Sequence, residues 1–153
     1  MSRREQIRMS ADEVGAFLAE ARTLQVASSN ADGTIHLVAM WFALLDGRVA
    51  FWTYAKSQKV VNLRRNPNIT VMAEDGDTYE NLRGVSMIGR ATIVEDPEHV
   101  LRYGVLVFEK HWGPAADEAV RAGISQQASK RVVVVVEPDR VISWDHRKLG
   151  GAY

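Results

Sequence analysis

The chain contains no cysteine. Disulfides, thiolate nucleophiles and cysteine-ligated metals are therefore excluded, and the composition fits a reducing cytoplasm. It also lacks any run of about 18 apolar residues, so no membrane-crossing helix is expected. The N-terminus, MSRREQIRMSADEVGAFL, is basic but has no apolar stretch of the kind a secretion signal needs. Net charge is missing too, since nineteen basic residues balance nineteen acidic ones. Overall charge thus gives no reason to expect nucleic acid or an anionic membrane as partner. The four histidines (His36, His99, His111, His146) are scattered and form none of the short metal-ligand pairings. There is no Gly-x-Gly-x-x-Gly loop, no Walker loop and no nucleophile elbow around Ser86.

What is present is strand-rich. At 153 residues, with 46% hydrophobic and 25% charged residues, the composition is that of one globular domain over 1–153. Ser10 and Glu13 form a capping-box pattern ahead of Val14, Phe17, Leu18 and Ala21, which predicts a helix over 11–22. LQVASS reads as a strand. The turn NADG (30–33) leads into TIHLVAMWFALL, and Asp46-Gly47 leads on into RVAFWTY, an antiparallel meander of three strands. SQKVVNLRRN is a short helix ended by Pro67. NITVMAED is a strand, and LRGVSMIGRATIVE is another, with Gly84 and Gly89 as bend or bulge points. A helix follows with Asp96 as its cap and Pro97 at an early position. PAADEAVRAGI is a further helix, KRVVVVVEP a core strand, and VISWDHRKLGGAY a tail of mixed character. A sheet of this length closes on itself to remove its edges.

One local imbalance stands out. From Arg48 to Asn66 there are five basic residues (Arg48, Lys56, Lys59, Arg64, Arg65) and no acidic one. They surround a strand end, Trp52-Thr53, and a helix start, Ser57-Gln58-Lys59. Unsatisfied N–H groups and the helix dipole make such an end attractive to an anion. Thr53 and Ser57 offer hydroxyl donors, Lys59 a point charge, and Arg64 lies one to two turns on. The stretch reads either as a phosphate cradle or as a solvated helix face. Trp41, Trp52 and Trp144 read either as core or interface residues or as the apolar face of a site for a flat ligand.

HLVAMWF (36–42), FWTYAKSQKVVNLRRNP (51–67), YENLRGVSMIGRATIVED (79–96) and VISWDHRKLGGAY (141–153) resemble the pyridoxamine 5′-phosphate oxidase-like family of flavin-binding split barrels. More closely they resemble its branch that uses coenzyme F420, an 8-hydroxy-5-deazaflavin found in actinobacteria and archaea. The resemblance implies a mainly β fold: a six-stranded antiparallel split β-barrel of Greek-key type with a few flanking helices. It implies a homodimer with cofactor sites at the subunit interface. It implies that His36, Leu37, Val38, Ala39, Met40 and Trp41 run along the cofactor ring, and that Trp52, Thr53, Ser57, Gln58 and Lys59 hold the phosphate, with Arg64 and Trp144 as further contacts. Lys56 and Arg65 are then available for the anionic lactyl-polyglutamate tail of F420. Gln58 stands where flavin mononucleotide (FMN) binders often carry arginine, which favours deazaflavin. The tail lacks the arginine-rich pattern of the oxidase proper, so oxidation of vitamin B6 is not expected.

The implied activity is hydride transfer from reduced F420 to an unsaturated or quinone-like small molecule. Alternatives are an FMN-dependent oxidoreductase, a non-catalytic F420 carrier and a nucleic-acid module, the last disfavoured by the charge balance. No side chain is required as a catalytic acid; His36 and Tyr79 are the only proton donors the pattern suggests. No metal is expected.

Overall fold

The computed structural model describes residues 1–151, so the last two residues of the tail motif, Ala152 and Tyr153, lie outside the described residues. A four-residue helix, α1 (Arg3–Gln6), and α2 (Ala11–Glu20) precede the sheet. Both helices begin with a capping box, Ser2 with Glu5 and Ser10 with Glu13, which satisfies two otherwise orphaned N–H groups at each start. The sequence predicts α2 to residue 22. It stops at Glu20 because Ala21 already has extended backbone and leads into the first strand.

Seven antiparallel strands form one sheet that curls into a half-barrel. They are β1 (Thr23–Ser29), β2 (Ile35–Trp41), β3 (Ala43–Leu45), β4 (Arg48–Tyr54), β5 (Asn68–Asp75), β6 (Arg83–Val94) and β7 (Arg131–Asp145). Their order across the sheet is β2-β1-β5-β6-β7-β4-β3. The expected count of six is corrected to seven. The segment expected as one strand over 34–45 breaks at Phe42, whose side chain is fully buried in the core. Before the break the chain pairs with β1, and after it with β4. The two edges of the sheet are therefore joined by a single residue. The meander is corrected for the same reason, since β2 makes no ladder with β4.

The turn at Asp46-Gly47 has positive φ at both positions (50° and 80°), the two-residue geometry that matches the twist of a hairpin. Gly89 sits at a register shift between β6 and β7. A Cβ there would lie 2.1 Å from the Glu137 carbonyl oxygen, so only glycine fits the bulge. Opposite it, Pro138 is accommodated where the ladder is already irregular. This lets β7 continue to Asp145, a strand end that reads as mixed tail in the sequence.

Three helices complete the chain's coverage of the sheet. They are α3 (Gln58–Arg65), α4 (Pro97–Trp112) and α5 (Glu118–Ala128). Asp96 caps α4 as expected, accepting from the His99 N–H. The last helix starts four residues later than PAADEAVRAGI suggests, because Asp117 is its cap, accepting from Ala119 and Val120 N–H.

Two apolar clusters fill the interior. One, inside the curl, includes Phe17, Leu24, Phe42, Phe51 and Val134. The other lies between β4, β7 and α4 and includes Val100, Tyr103, Val107 and Val133. Tyr103 joins them to the break in the sheet. Its hydroxyl donates to the Ala50 carbonyl and accepts from the Ala43 N–H (3.0 Å). Burial pushes this phenol up, to a pKa far above the ordinary tyrosine range.

Candidate functional site

β4 ends at Tyr54, and three residues of turn separate it from α3. Ser57 occupies the N-cap position, with extended backbone, but its side chain caps nothing. Its carbonyl accepts from Val60 and Val61 N–H, both at 3.1 Å. The N–H groups of Gln58 and Lys59 have no partner among the described residues, as expected for the first turn of a helix. Lys59 is only 8% exposed and directs its ammonium to the Thr53 hydroxyl at 3.1 Å. The Thr53 hydroxyl lies 3.4 Å from that of Ser57. No carboxylate pairs with Lys59 among the described residues. Burial alone holds its pKa below the ordinary lysine value.

This polar group closes one end of a cleft of about 640 Å³. The cleft runs between β2 and β4 on one side and α4 and α5 on the other, and its walls are largely apolar. Trp52 forms the floor; a Cβ at Gly104 of α4 would come within 2.6 Å of its indole, so the helix packs flat on the ring. Met40 and Trp41 line one wall, and Phe108, Trp112 and Ile124 the other. At the rim Trp41 stacks on His111 (4.3 Å between centroids, 8° between planes) and meets Trp112 edge-on at 4.9 Å. Arg131 lies at the polar end, its guanidinium over Trp52 (4.8 Å) and Tyr54 (4.4 Å). Past Arg131 and Tyr54 the surface continues into a groove lined by Lys56, Lys130 and Ser129 and by no carboxylate. The arrangement suits a flat apolar body with an anionic end.

A larger groove of about 720 Å³ runs between the N-terminal segment and β7, past Arg4, Arg8 and Arg140. Its cations are exposed on the surface, and none of the expected site residues lines it. The buried lysine, not the volume, singles out the cleft.

Of the expected site residues, the structure brings together Met40, Trp41, Trp52, Thr53 and Lys59 in the cleft, with Ser57 beside them. The others stand apart. His36, Leu37, Val38 and Ala39 follow β2 away from the cleft, and His36 pairs in register with Ser28. At about 3.4 Å per residue, His36 is roughly 17 Å along the strand from Trp41. Gln58 donates to Asn62 instead of facing the cleft. Arg64 pairs with Glu95 on the surface, and Arg65 donates to the Ser29 carbonyl. Trp144 is on β7 with its ring against Gly84. Tyr79 meets His146 edge-on at 4.7 Å. Neither of the last two lines the cleft in this chain. Among the described residues no group of acids and histidines could hold a metal ion.

Sequence reasoning missed Arg131 and the α4–α5 wall. Gly104 inside an otherwise good helix pattern was the available signal, because a helical glycine costs about 1 kcal/mol relative to alanine unless close packing requires it.

The half-barrel, with its strand-to-helix turn and aromatic cleft, has the form of a split barrel. The chain belongs to the pyridoxamine 5′-phosphate oxidase family, whose model matches residues 10–145. Among solved structures it resembles the conserved hypothetical protein Rv2991 from Mycobacterium tuberculosis, at 47% identity over 100% of this chain and 95% of that one, with a TM-score of 0.93. An F420 reductase is 26% identical over 82% of this chain and 93% of that one, TM-score 0.60. A FAD-binding protein from Mesorhizobium loti, 23% identical over 88% and 93% with a TM-score of 0.63, shares the fold. No curated protein matches.

Proposed function

We propose that this protein is a coenzyme F420-dependent reductase that delivers hydride to an unsaturated or quinone-like small molecule, acting in the cytoplasm as a homodimer. The observation that carries the reading is the buried, carboxylate-free Lys59 at the end of an aromatic cleft. A desolvated cation with no acidic partner is costly unless an anion completes it. Thr53, Ser57, Lys59 and the first-turn N–H groups of α3 would hold a phosphate. Trp52, Met40 and Ile124 would face the ring.

The groove beyond Arg131 favours F420 over FMN. Lys56, Lys130 and Arg131 give an acidic tail a place to lie, and FMN has no such tail. The 26% identical F420 reductase supports the same choice. The exposed apolar face of β2, with Ile35 and Leu37 both more than 60% exposed, supports a second copy of the chain as partner.

When bound, the reduced deazaflavin supplies the hydride; the chain supplies position and a dry surrounding. Trp41, Phe108 and Trp112 at the mouth would offer a flat acceptor stacking surfaces. No side chain in the cleft is needed as an acid, since solvent can supply the final proton.

The test is a paired titration of the protein with F420 and with FMN, followed by tryptophan quenching, for wild type and Lys59→Ala. Tight binding of F420 that Lys59→Ala weakens, followed by oxidation of reduced F420 by a quinone, supports the proposal. Preference for FMN overturns the cofactor. Binding without turnover over a panel of acceptors makes the protein a carrier.

A further inference from the structure

Asn62 is completely buried in a helix of eight residues. Its carboxamide nitrogen donates to Ser28 Oγ (3.1 Å) and to Asn30 Oδ1 (2.9 Å), and its oxygen accepts from Gln58 Nε2 (2.8 Å). Both N–H bonds and one oxygen lone pair are thereby used. Ser28 is itself 3% exposed, near the end of β1, and Asn30 begins the turn into β2. Asn30 is fixed in turn, through its side chain to Thr34 Oγ1 (3.0 Å) and its N–H to the Thr34 carbonyl (2.9 Å).

Asn62 lies three residues after Lys59, on the same face of α3. The other buried anchors of the helix, Val60 and Leu63, are apolar, and its remaining polar ties, Arg65 to the Ser29 carbonyl and Arg64 to Glu95, are made by exposed side chains at its C-terminal end. Apolar contacts resist separation but are non-directional, so they hold a short helix against sliding less strictly than fixed hydrogen bonds do. Burying an amide is unfavourable unless its bonds are made, so only one placement of the helix satisfies this residue.

We propose that Asn62 is the positioning residue of the anion cradle: by locking α3 to the β1–β2 turn it holds Lys59 over Thr53. The role rests on the reading of Lys59 as the group that meets the ligand's phosphate. It also explains Gln58, whose side chain is spent on this lock and not on the ligand.

The test has a ligand-free arm and a binding arm. In the ligand-free protein, side-chain NMR follows the titration of Lys59. In Asn62→Ala the midpoint rises toward that of an ordinary solvated lysine, because a displaced α3 lets water reach the ammonium. In the binding arm, measured well below the unfolding temperature, the F420 dissociation constant rises about tenfold. In a Lys59→Ala background the Asn62 change adds no further loss, since the group it positions is gone. A Lys59 titration that does not move, or losses that multiply in the double variant, overturns the proposal and leaves Asn62 a residue of general stability. Asn30→Ala removes one acceptor from the lock at a half-buried site and gives the same changes more weakly if Asn62→Ala does not fold. Should wild type bind neither F420 nor FMN, the proposed function falls, and the titration still decides the role of Asn62.

Discussion

The Lys59 ammonium stands 3.1 Å from the Thr53 hydroxyl and is paired with no carboxylate among the described residues. A charge so placed works against the stability of the ligand-free fold. Lys59→Met removes the charge and keeps the length of the stem, so its unfolding temperature should equal or exceed that of wild type, while affinity for a phosphate-bearing ligand falls sharply. Calorimetry and the titration on the same variant check both halves. A clear loss of stability would mean that the ammonium is satisfied in the folded chain and has no need of an anion.

Lys110 gives a pH prediction. Its ammonium lies 3.9 Å over the centre of the Phe42 ring and donates to the Leu18 carbonyl at 3.3 Å. Burial, reinforced by Arg22, lowers its pKa to about 8, below the ordinary lysine value of 10.5. Between those values the unfolded chain binds more protons than the folded one, so stability rises with pH across the window. Below about 8 both states are protonated and the full penalty applies. Denaturant midpoints of wild type and Lys110→Met, compared from pH 7 to pH 10, should therefore shift in favour of wild type as pH rises.

Gly104→Ala should weaken ligand binding and destabilise the fold, although alanine is the better helix former by about 1 kcal/mol. The new methyl would meet the Trp52 indole at 2.6 Å. Overpacking of this kind costs about 1–3 kcal/mol, which outweighs the helix gain. The ring must also tilt into the cleft. Chemical denaturation and the coenzyme titration measure the two effects.

Trp112→Ala separates the rim from the core. Trp112 is 62% exposed and touches Trp41 edge-on. Loss of that pair should cost about 1 kcal/mol. Steady-state kinetics with a flat apolar acceptor should show a raised KM, with coenzyme affinity little changed, because Lys59 and Thr53 are untouched.

Local signals made parts of this molecule legible in its sequence. The sequence predicts α3 over 57–66, and it spans Gln58–Arg65, because Pro67 marks its end and a polar residue its start. Strand β5 is predicted over 68–75 and spans Asn68–Asp75. Lys59 stands out in the sequence because its neighbours carry no acid. The break at Phe42 was not legible. TIHLVAMWFALL has the pattern of one strand, and only the tertiary pull of the core on a buried phenylalanine divides it. The fate of Gln58 and Arg64 was hidden likewise, since their partners, Asn62 and Glu95, are chosen by helix rotation and by a loop distant in sequence. The α4–α5 wall carries apolar residues at ordinary helical spacing, and that pattern does not distinguish a face turned to the core from one turned to a cleft.

The break at Phe42 has a mechanical consequence. Met40 and Trp41 stand on one bank of an unladdered seam, and Trp52 and Thr53 on the other. Among the described residues no strand ladder joins β2 to β4, so within the sheet the banks are tied by the peptide at residue 42, and the Tyr103 hydroxyl, bonded to Ala43 and Ala50, secures the β3–β4 side of that corner. The cleft can therefore widen by flexing at a corner, with every ladder left whole. If the cleft binds a ring as proposed, an aperture framed in this way can fit rings of different thickness at no cost to the sheet.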